Sequence, residues 1–202
     1  MLLIGLTGNI ASGKSSVAAL LQRKGALLID ADVLAREAVA VGSPGLRAIA
    51  DRWGPQVLDS HGELDRAALR RLVFTNVADR EALNAIVHPE VERLRQLAIE
   101  RARAHGARIV VCDIPLLFEK GLEPLFDVVI LVDANDTTRL ERLVRTRGLA
   151  EDEARSIMAA QWPATEKRPR AGVVIENEGS REALEEHVDN VWSMLRRRVD
   201  PR

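Results

Sequence analysis

Gly8, Gly13, Lys14 and Ser15 stand at the spacing G-x-x-x-x-G-K-[ST]. These residue types at this spacing can build a cradle for phosphate. Glycines let the backbone turn and bring N–H groups against phosphate oxygens with no side chain between. The lysine reaches β- and γ-phosphates and the serine hydroxyl serves Mg²⁺. A helix starting here also aims its positive end at the anion. Four such fixed positions arise by chance in roughly one chain of this length per hundred. Flanking elements narrow the odds further. Leu2-Leu3-Ile4-Gly5-Leu6 reads as a buried strand before the loop. After it, Val17, Leu20, Leu21 and the stem of Lys24 recur at helical spacing until Gly25. The segment predicts nucleoside triphosphate binding by Gly8, Asn9, Ile10, Ala11, Ser12, Gly13, Lys14, Ser15 and Ser16.

A second set of groups capable of chemistry is carboxylic. Asp30-Ala31-Asp32 follows the apolar run 26–29, and the matched parity of 30 and 32 points both side chains one way if the segment is extended. Asp32 could take a proton from an attacking hydroxyl, or position it and help hold Mg²⁺ through water. It could equally cap a helix over 33–41. Asp113 follows the run 108–112 and could be a water-mediated magnesium partner, or a turn residue before Pro115. His88 precedes Pro89 at an expected helix start, where it could meet an anion or make a structural hydrogen bond. His61, His105 and His187 lack ligand-like spacing, and with one cysteine there is no zinc pattern. Arg139, Arg142, Arg145, Arg147, Arg155, Lys167, Arg168 and Arg170 crowd one region. They read either as a solvated, salt-bridged helix pair or as a lid bringing guanidinium groups over transferring phosphates.

Positioning these groups requires a sheet. Runs 2–6, 26–29, 108–112, 127–132 and 173–176 are rich in Val, Ile and Leu and separated by helical patterns. They predict an α/β fold with a five-stranded parallel sheet and right-handed crossovers. Residues 33–107 hold no convincing strand, although a crossover needs only about a dozen residues. A helical lobe is therefore inserted there. Its expected parts are helices over 33–41 and 45–53, a turn at 59–62, and a helix capped by Asp65. A long helix beginning at Pro89 completes it. Such a lobe beside a nucleotide-binding sheet would wall an acceptor site.

The composition is 47% hydrophobic and 29% charged, with a formal net charge of −1, so no general nucleic-acid or anionic-membrane surface is expected. Three Trp, three Phe and no Tyr argue against stacking platforms for single strands. The lone Cys112 sits in an apolar run and allows no intrachain disulfide. No run approaches membrane-spanning length. A cytoplasmic protein, monomeric or a small homo-oligomer, is the expectation.

The chain resembles the dephospho-CoA kinase family over nearly its full length. The resemblance rests on Gly5 through Ser15, Ile29-Asp30-Ala31-Asp32 with Arg36, and Leu64-Asp65-Arg66. It continues through Ile86-Val87-His88-Pro89, Pro115-Leu116-Leu117-Phe118-Glu119, Gln161 with Glu166-Lys167-Arg168, and Asn177 with Gly179. It implies a P-loop NTPase fold like that of nucleoside monophosphate kinases and transfer of the ATP γ-phosphate to the 3′-hydroxyl of dephospho-CoA, with Mg²⁺. The implied division is a core (1–32, 106–138 and 171–202), a helical CoA-binding lobe (33–105) and a lid (139–170). Catalytic roles then fall to Asp32 as base, to Lys14, and to the lid arginines Arg142 and Arg147. Asn177 lies near adenine. Thr7, Asp32, Arg36, His88, Pro115 and Leu116 serve the acceptor, and Ser15 and Asp113 the metal. Departures are Asn9 where glycine is common, Thr146 where many members carry arginine, Gly172 for a frequent aspartate, and Glu178 for a small polar residue. Other small-molecule kinases, or an NTP-driven switch, are the competing readings. The switch lacks an Asn-Lys-x-Asp guanine element.

Overall fold

A computed structural model describes residues 1–74 and 76–200. Its five strands are β1 (Leu2–Gly8), β2 (Leu27–Asp30), β3 (Ile109–Asp113), β4 (Val128–Asp133) and β5 (Val173–Glu176). They form one parallel sheet in the order β2-β3-β1-β4-β5. The sequence reading anticipated all five strands. β1 lies at the centre, with Leu6 opposite Asp113 on β3 and Gly8 opposite Val132 on β4. Both neighbours are buried along their whole length, as expected of strands covered on two faces.

Helix α1 (Lys14–Arg23) and helix α9 (Arg181–Val199) pack together on one face of the sheet. Ile4, Leu6, Val111, Ile130 and Ile175 meet Val17, Leu21, Val188 and Leu195 there in one apolar cluster. On β1 the opposite parity belongs to the other face. A Cβ on Gly5 would sit 2.5 Å from Leu117 Cδ1 and 2.9 Å from the Phe126 ring, so a larger residue there would have to displace those side chains.

The chain falls into two compact units, one of Met1–Ile29 with the chain from Ala102 onward, the other Asp30–Arg101. The second is all helical apart from one isolated bridge, Leu58 to Leu64. Its helices are α2 (Ala31–Glu37), α3 (Pro44–Trp53), α4 (Arg66–Phe74) and α5 (Val77–Ala104), of which α5 continues to the unit's end and beyond. Val39, Ile49, Val57, Leu69 and Val73 form its core, with Leu83, Ile86 and Val87 of α5 packed against it. Asp65 caps α4 as anticipated, accepting from Ala67 N and Ala68 N at 2.9 Å each. Asp59 makes the expected turn by accepting from the N–H groups of His61 (2.8 Å) and Glu63 (2.9 Å).

Two expectations here are corrected. The long helix does not begin at Pro89: α5 starts twelve residues earlier, at Val77, behind an Asn76 side chain that accepts from Ala78 N at 2.9 Å. Pro89 lies inside it and cannot donate to the Ala85 carbonyl; both residues are exposed, so water can take that bond. His88 is consequently an exposed mid-helix residue, not one at a helix N-terminus. Second, the extended segment stops at Asp30, which itself caps α2 by accepting from Asp32 N (2.8 Å) and Val33 N (3.3 Å). The shared-parity argument for 30 and 32 fails because Ala31 and Asp32 are already helical.

Candidate active site

The phosphate loop runs from the end of β1 to the start of α1, and each fixed glycine has a steric reason. A Cβ on Gly8 would lie 2.5 Å from the Val132 carbonyl oxygen and 2.6 Å from Ser12 Oγ. Gly13 has φ +92°, and its Cβ would fall on Asn177 Nδ2. Gly13 also stands at the N-cap of α1 without any side-chain cap. The first turn therefore keeps backbone N–H groups for an anionic ligand, on which the helix dipole also acts.

Between the glycines, Ala11 is the one non-glycine at positive φ (+61°) among the described residues. A left-handed alanine costs about 1 kcal/mol or more, so the surroundings must hold it. Ser12 N donates to the Asn9 carbonyl at 3.0 Å. Arg142 donates through one nitrogen to the carbonyls of Ala11 (3.2 Å) and Ser12 (3.4 Å), and through the other to that of Asn177 (2.8 Å). Asn177 Nδ2 donates to the Ser12 carbonyl at 2.7 Å. Arg142 and Asn177 thus brace the loop from behind. They also line a cavity of about 680 Å³ with Gly13, Ser16, Leu20, Thr146 and Gly179, of a size suited to a small organic ligand.

On the other side of the loop, Lys14 Nζ is ion-paired with Asp113, brought alongside by the β1–β3 register. Both side chains are largely buried, which strengthens the pair over one in water. Thr7, fully buried, donates Oγ1–H to the Pro115 carbonyl at 3.1 Å and fixes the segment after β3 to the end of β1. Leu116 beside it is partly exposed. Of the residues read from sequence, the structure gathers Thr7 through Ser16, Asp113, Pro115, Arg142 and Asn177 around one loop.

Asp32, Arg36 and His88 belong to the other unit. Asp30 provides the cap, so the Asp32 carboxylate is not consumed by the helix start. It is exposed and makes no hydrogen bond or ion pair among the described residues. Arg36 lies one turn further along α2, also exposed.

The basic region divides. Helix α6 (Asp136–Arg147) carries Arg139, Arg142, Arg145 and Arg147; helix α7 (Glu151–Ala159) carries Arg155. Five of the eight cations are in ion pairs. Arg139 faces Asp136 (3.7 Å), Arg155 faces Glu151 (2.6 Å), Lys167 faces Glu119 (2.6 Å) and Arg170 faces Glu123 (3.5 Å). Arg168 spans Asp133 (2.6 Å) and Glu176, which raises its guanidinium pKa still further, the Glu176 hydrogen bond first. Arg145 and Arg147 are exposed on the last turn of α6 and have no ion pair among the described residues.

Sequence reasoning gave no role to one cluster beside the loop. Ile10 N donates to Gln161 Oε1 at 2.7 Å, and Asn9 Nδ2 to the Trp162 carbonyl at 3.1 Å. Trp162 N in turn donates to Glu119 Oε1 at 3.4 Å. The fully buried Lys167, on the short helix α8 (Ala164–Lys167), meets that same oxygen off the hydrogen-bonding direction, so the pair is chiefly Coulombic. Nothing in residue type marks Gln161; its partner lies 151 positions away. A buried lysine beside a glutamate is equally invisible until the fold is known.

A strand, a glycine-bounded loop, an uncapped helix and a loop-facing lysine at the carboxyl edge of a parallel sheet define a P-loop nucleotide-binding protein. The family model described as dephospho-CoA kinase matches residues 2–183. A Streptomyces avermitilis dephospho-CoA kinase is 48% identical over 195 residues, covering 96% of this chain and 94% of its own. One from Thermobifida fusca is 46% identical with both chains covered completely. Among solved structures, TT1252 from Thermus thermophilus superposes with a TM-score of 0.80 at 42% identity, covering 96% of this chain and 97% of its own. Dephospho-CoA kinase from Campylobacter jejuni, 24% identical, shares the fold with a TM-score of 0.74 over 96% of each chain. The chain belongs to the dephospho-CoA kinase family.

Proposed function

We propose that this chain moves the γ-phosphoryl group of ATP to the 3′-hydroxyl of the dephospho-CoA ribose. The observation that carries this reading is the braced phosphate loop, with Lys14 at its mouth and the N-terminus of α1 uncapped behind it. Backbone amides of Ala11, Gly13, Lys14 and Ser15 and the Lys14 ammonium hold the triphosphate, and Asn177 lines the place of the adenine. Charge that spreads over the γ-phosphoryl oxygens in the transition state meets these donors without reorganisation. As phosphate arrives, the Lys14 ammonium exchanges Asp113 for phosphoryl oxygens.

The donor set suits Mg²⁺: Ser15 offers a hydroxyl and Asp113 a carboxylate, hard oxygens that such an ion takes alongside water and phosphate. When bound it neutralises charge on the β- and γ-phosphates. Among the described residues no cluster of three or more His, Cys, Asp or Glu side chains offers a dedicated metal cage.

The groups that serve the acceptor are Arg36 and His88 on the helical lobe 33–105 and, beside the phosphate loop, Pro115 and Leu116. Asp32 takes or orients the hydroxyl proton; its carboxylate is spared from capping, which supports that role. Segment 139–170 acts as the lid, and Arg147, which like Arg145 is exposed and without an ion pair among the described residues, is an arginine it can bring to the phosphates. Closure excludes water as a competing acceptor. No helix among the described residues is long and apolar enough to cross a membrane. We place the activity in the cytoplasm, in a monomer or small homo-oligomer.

Asp32→Asn tests this reading. It should lower turnover by about 10²–10⁴-fold, the usual reach of general-base catalysis, while ATP affinity measured by calorimetry stays unchanged. Turnover within a few fold of the parent protein would remove Asp32 from the chemistry.

A further inference from the structure

We propose that Gln161 is a positioning residue that, together with Arg142, keeps Ala11 in its left-handed conformation and so sets the phosphate loop. This rests on ATP binding by that loop. Ala11 is the residue under strain, with φ +61°. One residue ahead of it, the peptide between Asn9 and Ile10 is pinned by the Ile10 N–H donated to Gln161 Oε1 at 2.7 Å. The peptide after it, between Ala11 and Ser12, is pinned by Arg142 on the Ala11 carbonyl at 3.2 Å. A strained residue persists only where its surroundings are over-determined, and here the peptide after Ala11 and the peptide preceding Ile10 are held by side chains from distant segments.

The Gln161 side of this clamp is itself anchored. The next residue accepts from Asn9 Nδ2 at 3.1 Å through its carbonyl and donates its own N–H toward Glu119 at 3.4 Å. Glu119 is held by the fully buried Lys167. The chain from Gln161 to Lys167 is therefore fixed at both ends beside the loop. The Ile10 N–H is already committed to Gln161, so its contribution is to orient the loop while later amides meet phosphate.

Strain relief makes the idea testable. Glycine tolerates positive φ, so an Ala11→Gly loop needs the clamp less. The experiment is a double-mutant cycle in the full chain: the parent, Gln161→Leu, Ala11→Gly and the double variant. The readouts are kcat, KM for ATP, and the ratio of ADP released to acceptor phosphorylated. Loss of one such hydrogen bond corresponds to about a three- to tenfold fall in kcat/KM for ATP in Gln161→Leu. The same change in the Ala11→Gly background should cost under about twofold. Gln161→Glu, which keeps an acceptor oxygen, should retain more activity than Gln161→Leu at an acceptor-saturating concentration. Equal losses in both backgrounds would overturn the proposal and leave Gln161 as lid packing alone. ATP affinity of the parent chain, measured separately, reports on the underlying reading: without it the cycle has no signal, whereas with it a flat cycle counts against Gln161 only.

Discussion

At the scale of single residues, steric necessity at Gly13 and electrostatic necessity at Lys14 meet on adjacent positions. Gly13→Ala would bring a methyl group onto Asn177 Nδ2 and force a side chain into a left-handed backbone. We expect at least about a hundredfold loss of ATP affinity by calorimetry, together with a fall in stability of about 1–3 kcal/mol in chemical denaturation. Wild-type affinity in that variant would mean that the loop is not the triphosphate site. These residues were fully legible in sequence, because the loop's requirements are local and its spacing is fixed by covalent geometry. Asp30 and Asp32 were only half legible. Both are short acidic residues at a strand–helix junction, and which one caps depends on where the strand stops, a matter of one residue. Gln161 and Lys167 stood out only as marks of the family resemblance and, for Lys167, as one of several cations; their contacts were not readable. Their roles come from partners far away in sequence, and nothing in local pattern reports a tertiary contact.

At the scale of elements, strands read well because each is a short apolar run, with β3 and β4 buried along their whole length. The helices of the inserted lobe read less well. Pro89 resembled a first-turn proline, yet Leu83, Ile86 and Val87 upstream pack into the lobe's core and carry α5 straight through it. Helical packing on both sides of Pro89 outweighed the one lost hydrogen bond. The turn at 59–62 makes a prediction that involves no ligand. Asp59 has its carboxyl pKa lowered below the ordinary 3.8, first by the Glu63 N–H, then by that of His61. A depressed folded-state value means the turn's contribution is fully present above pH 3.8 and lost as pH falls through the lower folded value. In an NMR titration the Asp59 carboxyl should therefore titrate below 3.8, and the amide resonances of His61 and Glu63 should shift with it. Titration of that carboxyl at or above 3.8 would show that the turn is not closed by these bonds.

For the whole molecule, the chain divides into two compact units. One carries the phosphate loop and its braces; the other is helical and carries Asp32, Arg36 and His88. The formal net charge of the chain, −1, suits a small-molecule ligand rather than a nucleic acid. The fold class and the kinase family were legible because motifs in fixed order along the chain constrain both together. The braces around the loop became visible only once the sheet brought residues 142, 161 and 177 beside residues 9 to 13. The most direct measurement follows the label from γ-³²P-ATP in purified full-length protein with Mg²⁺ and dephospho-CoA, beside a panel of nucleosides and nucleotides. The account predicts label on the 3′-position of CoA, negligible label on the panel, and loss of transfer in Lys14→Ala. Label appearing on a nucleoside or nucleotide but not on CoA, or undiminished transfer by Lys14→Ala, would contradict it.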